Sequence, residues 1–250
     1  MSILSEIRPD GIMVITLDRP DRMNALDVPA KERLGELWAT AALDADVRVI
    51  IIRGAGERAF CAGSDIKEIQ RTGKMVTTDI LMNAIPGVGT VLNKPTIAAM
   101  HGFTVGMGLT LAIHCDFRIA QAGSRMGFPE VQHGMISGIS AVTLPGIVGE
   151  PVALDLMLTG RLVDDAEALQ LGLVHAVVPE AMEAALIRAK LLASNSSKAV
   201  ALTKHLILAD RRHRIMRHAE EVDAARIAVT QSDEYVHVVQ QKPGTGRART

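Results

Sequence analysis

Aromatic residues are nearly absent from this chain: one Trp, one Tyr and four Phe among 250 residues, 2% of the total. So few rings argue against a stacking platform for single-stranded nucleic acid. No excess of either charge is present. Lys and Arg number 27 against 28 Asp and Glu, a formal net charge of −1, so no global field draws the chain to nucleic acid or to a membrane. The two cysteines, Cys61 and Cys115, lack CxxC or zinc-type spacing and read as reduced core residues of a cytoplasmic protein. No apolar run approaches the roughly 20 residues that span a bilayer, and the N-terminus lacks the composition of a leader or transit segment. Recognisable nucleotide and nucleophile signatures are missing too. A dinucleotide fingerprint opening at Gly106 and Gly108 requires glycine at 111, where Leu111 stands. Neither a P-loop nor a GxSxG elbow occurs, and no spacing assembles a Ser-His-Asp triad or a metal cluster.

What is present is aliphatic. Hydrophobic residues make up 48%, enough for a sizeable core built from Ala, Val, Ile, Leu and Met. The length fits one domain, or a core with a smaller appendage. Ile3–Arg8 and Ile12–Leu17 read as strands around the turn Pro9-Asp10-Gly11. Asp27 is placed to cap a helix running to Leu43, with Leu34, Leu37, Trp38 and Ala41 on one face. Val47–Arg53 is the nearly continuous apolar run of a strand buried on both faces. A loop is expected over Gly54–Gly63, then a helix opened by Asp65 and Glu68 in capping-box spacing. The segment Arg71–Asn93 reads as helical with a break at Pro86-Gly87. Further strands are expected at Thr96–Met100, Asp116–Ala120 and Val174–Val178, and helices near 140–148, 151–160, 165–171, 181–194, 197–209 and 214–231. The tail from Lys242 reads as disordered.

The pattern turns on Met100–Asp116, read as strand, glycine-rich turn and a buried helix starting near Gly106. The N–H groups at such a helix start have no intrahelical acceptor and sit at the positive end of the helix dipole, where negative charge is favoured. The same glycines also permit tight packing, and this stretch alone does not choose between the two uses. A second loop-to-helix junction, Cys61-Ala62-Gly63-Ser64-Asp65, offers another free N–H. If the Ser64 and Met107 N–H groups converge, they form an oxyanion hole. Glu130, after Pro129 in an apolar and glycine-rich setting, is either a solvated loop carboxylate or a desolvated general base. His133, three residues on, is either a surface residue or shares the face of Glu130. His101 and His114 read as structural. The basic run Arg211, Arg212, His213, Arg214, Arg217 and His218 is either a solvated helix end or a surface for phosphates.

Taken together, Arg19-Pro20-Asp21-Arg22-Met23-Asn24-Ala25-Leu26, Ala59–Glu68, Gly106–Ala112 with Cys115-Asp116, and Phe128-Pro129-Glu130 resemble the crotonase (enoyl-CoA hydratase/isomerase) family. Thr159-Gly160-Arg161 and Ala168–Val174 match its later segments. The resemblance implies an α/β fold: a crotonase-like spiral of strand–strand–helix repeats with a C-terminal helical trimerisation region. It implies a catalytic core over 1–190, an oligomerisation region over 191–241 and a flexible tail over 242–250. The implied substrate is an acyl-CoA thioester, with coenzyme A as part of it and no other cofactor or metal. The implied partners are two further copies of the chain, or a dimer of trimers, with no nucleic acid and no membrane.

The resemblance places the oxyanion hole on Ser64 and Met107, one catalytic carboxylate on Glu130, and Met23, Ala25, Ala62, Ser64, Asp65, Ile66 and Lys67 along the coenzyme A. Three positions depart from the family pattern. Thr110 stands where hydratases carry their other glutamate, Met107 replaces a glycine, and Ser137 replaces a proline. Thr cannot exchange a proton near neutral pH, and a positioned acid–base group contributes about 100- to 10,000-fold. With Glu130 alone, the expected activity is isomerase-like: one base moves a proton from C2 to C4 while the two N–H groups hold the enolate. The alternatives are a hydratase or dehydratase with a substituted second group, such as His133 or a water held by Thr110, and a weakly active coenzyme A-binding scaffold.

Overall fold

Ile12–Leu17 and Val49–Gly54 are β-branched runs, almost wholly buried, that pair in parallel within a six-stranded sheet. The protein's structure, a computed structural model, describes residues 2–72 and 76–240, with side chains to residue 237. The large sheet has the order β1 (Ile3–Ile7), β2 (Ile12–Leu17), β3 (Val49–Gly54), β5 (Thr96–Met100), β7 (Phe117–Gln121), β10 (Ala176–Val178). Only the β1–β2 hairpin is antiparallel. A smaller sheet runs β4 (Ala59–Cys61), β6 (Phe103–Val105), β8 (Arg125–Gly127), β9 (Leu162–Asp164). The pairs β3/β4, β5/β6 and β7/β8 each give one strand to each sheet before the chain turns into helix. That alternation produces a spiral of strand–strand–helix turns.

Both faces of the large sheet are covered, so its strands lack the apolar–polar alternation of a one-sided sheet. One face presents Ile12, Val14, Val49, Ile51, Ile97, Ala99 and Ile119 to Ala181, Ala185 and Ala189 of α9 (Ala181–Ser194). Those alanines recur every four residues, so they form one helix stripe. The other face presents Ile15, Ile50, Ile52, Ala98 and Met100 to the main core. There it meets α1 (Val28–Leu43), whose Asp27 cap accepts from the Ala30 N–H at 2.9 Å, and the buried helix α4 (Met107–His114). Cys61 and Cys115 are free thiols inside this core. No helix among the described residues is long and apolar enough to cross a membrane.

Several local expectations are corrected. β4 and β6 lie in segments read as a loop and a glycine-rich turn, and β9 in a stretch given no element; three residues are too few for a periodicity to register. α2 (Ile66–Thr72) and α3 (Thr78–Ala84) cover only part of the helical reading over Arg71–Asn93, which also touches residues outside the described set. The Asp65/Glu68 capping box is not reciprocal. Asp65 accepts from the Lys67 and Glu68 N–H groups at 3.1 and 3.3 Å, whereas Glu68 reaches across to the Val28 N–H at 2.9 Å. Glu68 therefore caps a neighbouring helix. The apolar helix after Gly138 is split by Pro145 into α5 (Gly138–Thr143) and α6 (Pro145–Val148), followed by α7 (Glu150–Thr159) and α8 (Asp165–Gln170). The tail 242–250 lies outside the described residues.

The last four helices are α10 (Ser197–Ile207), α11 (Ala209–Arg217), α12 (Ala219–Thr230) and α13 (Asp233–Gln240). The helix expected over 214–231 is interrupted at His218. α10 is tied to the sheet by Lys204, whose ammonium lies 2.6 Å from Asp116, the residue that also accepts from the Thr96 N–H. α12 and α13 fold back toward α5 and the loop around Gly134.

Candidate active site

β6 ends at Val105, and the chain reverses at Gly106 with φ +56° and ψ −122°. The positive φ is strained for any residue with a Cβ. The Gly106 N–H is satisfied by the Gly127 carbonyl at 3.0 Å. Met107 is then the first residue of α4, so its own N–H has no intrahelical acceptor. Gly108 lets α4 press onto β4: a methyl there would lie 2.2 Å from the Cys61 carbonyl oxygen. That contact brings the two junctions together, and a methyl built on Gly63 would lie 3.6 Å from the Met107 nitrogen.

Ser64 is oriented by Leu26. The Leu26 N–H donates to the Gly63 carbonyl at 2.8 Å, and the Asp65 N–H donates to the Leu26 carbonyl at 2.9 Å. In such a parallel bridge the residue between, Ser64, turns its own N–H away from Leu26. Among the described residues neither the Ser64 nor the Met107 N–H finds a backbone acceptor. Both residues line one cavity of about 190 Å³.

The loop carrying Leu26 is held by its own polar residues. Asn24, in a left-handed conformation and buried, donates to the Ala55 and Ala59 carbonyls at 2.9 and 2.7 Å and accepts from the Arg19 N–H at 2.9 Å. The Arg19 guanidinium bridges Asp27 at 3.1 Å and Asp65 at 3.0 Å. Arg19 and Asn24 therefore fix the Ser64 junction through the backbone, without lining the cavity.

Glu130 lies in a short 3-10 turn, Pro129–His133, that stops at left-handed Gly134. Its carboxylate faces the Gly106 turn: a methyl on Gly106 would lie 3.1 Å from Oε1. Oε2 is buried with no hydrogen-bond partner among the described residues. Burial pushes the carboxyl pKa up to about 7, and the residue's own N–H and the Ser137 hydroxyl only partly oppose the rise. Thr110, one turn into α4, has its hydroxyl placed to donate to the Gly106 carbonyl at 3.1 Å and shares hydrogen bonds with the Ser140 and Ser137 hydroxyls at 2.8 and 3.3 Å. A row of hydroxyls thus runs from Ser140 through Thr110 to Ser137, which reaches Glu130.

Glu130, Ser64, Met107 and Thr110 all line the cavity, as do Ala62 and Ile66. Met23, Ala25, Asp65 and Lys67 do not. Met23 and Ala25 are half-buried and Lys67 is exposed beside it, whereas Asp65 is buried and engaged with Arg19 and the start of α2. His133 is exposed and lines the cavity. His114 is buried, bonded to the Thr110 carbonyl at 2.8 Å, and pushed down to about 3 by burial and then by the Arg211 charge. Arg211 and Arg214 of the basic run line a different cavity, of about 920 Å³ beneath α10 and α11.

Four polar residues near the site were not singled out from sequence as members of it: Lys31, Ser140, Arg226 and, beyond its place in the altered motif, Ser137. Lys31 was legible, since it precedes Leu34 by three and Trp38 by seven on the apolar face of α1. Its ammonium donates to the Leu26 carbonyl at 2.8 Å, and burial lowers its pKa to about 8 against the nearby Glu68 charge. Nothing local marked Arg226, which is distant in sequence.

A family profile described as enoyl-CoA hydratase/isomerase matches residues 8–238. The (E)-benzylidenesuccinyl-CoA hydratase of Thauera aromatica is 36% identical over 197 residues, 77% of this chain and 77% of its own length. The short-chain-enoyl-CoA hydratase of Clostridium acetobutylicum is 35% identical over 201 residues, 78% of this chain and 77% of its own. Among solved structures, a carnitinyl-CoA dehydratase from Mycobacterium avium 104 superposes with a TM-score of 0.86 at 28% identity, covering 99% of both chains.

Proposed function

This chain belongs to the enoyl-CoA hydratase/isomerase family, and from that premise we propose that it adds water across the C2–C3 double bond of a short-chain 2-enoyl-CoA, and removes it in reverse. The observation that carries this reading is a single cavity holding two free N–H groups, one carboxylate with a pKa near 7, and a row of hydroxyls reaching that carboxylate. The thioester carbonyl oxygen accepts from the Ser64 and Met107 N–H groups, polarising C3 for attack. Ser137 holds the water by a hydrogen bond, and Thr110, its own hydroxyl already engaged with Gly106, Ser140 and Ser137, fixes Ser137 from behind. The Glu130 carboxylate takes a proton from it as its oxygen adds to C3, and the enolate charge rests on the two N–H groups. The Glu130 acid then returns that proton to C2. A carboxyl titrating near neutrality suits both halves of this exchange. The names of the relatives, which specify hydration and dehydration, support this direction over the isomerase activity expected from Thr110.

Isomerisation keeps one observation in its favour: Glu130 is the carboxylate set against the Gly106 turn, whereas Glu68, on the same cavity, is engaged as the cap of α1, and Thr110 cannot relay a proton of its own. Crotonyl-CoA and a 3-enoyl-CoA, each incubated with the protein in deuterated water, separate the two. Hydration yields 3-hydroxybutyryl-CoA from crotonyl-CoA, with deuterium at C2. Conversion of the 3-enoyl thioester alone would overturn the hydratase proposal.

A cavity of about 190 Å³ is smaller than sites that enclose a whole drug-sized ligand, and it suits a short acyl group. The coenzyme A leaves past Ala62 and Ile66, with Met23, Ala25 and Lys67 bordering its outer part. The catalytic unit is proposed to be a trimer. Leu202, Leu206 and Ile207 on α10 and Ile187 and Leu191 on α9 are 55–73% exposed, an apolar surface of the kind that marks an interface. Light scattering of the purified protein should give three chains per particle, and Leu206→Glu should lower that number.

A further inference from the structure

A buried cation on the cavity wall has no part in moving protons. α12 meets α5 where Val222 packs on Gly138; a methyl there would lie 2.9 Å from Val222 Cγ1. Arg226 is one turn further along the same face. It lines the catalytic cavity together with Glu130, Ser64 and Met107, and on its other side a groove of about 980 Å³ walled by Thr78, Asp223 and Tyr235. Arg226 is thus the partition between the two, and only 6% of it is exposed.

Its guanidinium has five N–H donors. Among the described residues one bonds Thr78 Oγ1 and one bonds the Val76 carbonyl at 2.6 Å. Among the described residues no carboxylate bonds it directly: Asp223 lies beyond the Thr78 hydroxyl, which donates to it, and its charge supports the cation from there. The other buried cation of the cavity, Lys31, has Glu68 on the same wall. No hydrogen bond or ion pair joins Arg226 to Glu130 among the described residues. A buried charge that, among the described residues, bonds only neutral oxygens and has its nearest carboxylate one hydroxyl away can take on its remaining donors an anion that arrives with the ligand.

We infer that Arg226 receives a carboxylate at the far end of the acyl group, so that the preferred substrates are short acyl-CoA thioesters with an anionic acyl terminus. The inference rests on the reading of the cavity as an acyl-CoA site. It makes Arg226 a specificity residue: the thioester end is read by the Ser64 and Met107 N–H groups, and the other end by the guanidinium. The groove behind Arg226 then plays no part in binding the short acyl chain.

Succinyl-CoA and butyryl-CoA differ only by a carboxylate in place of a methyl, and neither can be hydrated. Calorimetric titration of the full chain with each therefore tests recognition apart from chemistry. Hydrogen bonds to a charged group are worth enough for the wild-type protein to favour succinyl-CoA by roughly 10- to 100-fold. Arg226→Leu should abolish that preference while holding butyryl-CoA within a few-fold of wild type, and Arg226→Lys should keep part of it. Equal affinities in the wild type, or a preference that survives in Arg226→Leu, overturn the inference. A lost preference together with an equal loss for butyryl-CoA assigns Arg226 to packing α12 on α3 and overturns it as well. If neither thioester binds, the acyl-CoA reading itself fails. If succinyl-CoA is preferred but no enoyl-CoA is hydrated, only the proposed reaction fails.

Discussion

Glu130→Gln is expected to lose about 100- to 10,000-fold in hydration rate, the typical contribution of a positioned acid–base group, while folding more stably than wild type at pH 8. The two effects share a cause. Burial raises the Glu130 pKa from 4.5 to about 7, because the cavity disfavours the charged form that catalysis requires. Between those two values the folded chain holds a proton that the unfolded chain has released. Stability therefore falls as pH rises through this window, and the full cost remains above about pH 7. At about 1.4 kcal/mol per pH unit of separation, that cost is roughly 3 kcal/mol. Gln carries no charge and escapes it. Urea denaturation at pH 8 should show the variant ahead by a margin of this order, and the margin should vanish near pH 4.5. A margin independent of pH would mean that the carboxylate is not held desolvated. The same titration sets the wild-type rate: kcat/KM for hydration should fall below about pH 7. Ser137→Ala, which removes a hydroxyl that favours the carboxylate, should move that midpoint upward.

Met107→Pro should lower kcat by about 100- to 1,000-fold, the usual effect of losing one oxyanion donor, with a smaller change in KM. Backbone donors are rarely open to so clean a deletion. Here the donor belongs to the first residue of α4, where proline is tolerated because the missing N–H has no intrahelical role, and the preceding residue is Gly106. Met107 is also part of the main core, so loss of its side chain needs its own control. Met107→Ala keeps the N–H and loses the packing, and it should be less stable yet far more active than Met107→Pro. Steady-state hydration of crotonyl-CoA by the two variants gives the comparison. Equal activity would remove Met107 from the oxyanion hole.

The main elements and the two junctions are legible in the local sequence. β2, β3 and β5 were legible as apolar runs because a strand covered on both faces has no polar side to show. The α1 cap at Asp27, the helix start after Gly106 and the strand-to-helix passage at Ser64 follow from local rules of capping and glycine. Glu130 could be named, but not weighed between solvated loop and buried base, since its pKa depends on the Gly106 turn brought against it from 24 positions away in the chain.

The tertiary structure alone decided what surrounds those residues. Thr110 looked like the loss of a carboxylate; packing of α4 against the start of α5 made it the middle of a hydroxyl row with Ser137 and Ser140. Glu68 had capping-box spacing with Asp65, yet it caps α1, because the Leu26–Ser64 bridge sets the two helix starts side by side. Arg226 reaches the cavity only because α12 folds back onto α5. Local sequence specifies which backbone groups are left unpaired. Burial, and with it the protonation state of Glu130 and the place of the Arg226 charge on the cavity wall, is a property of segments distant in the chain meeting in space.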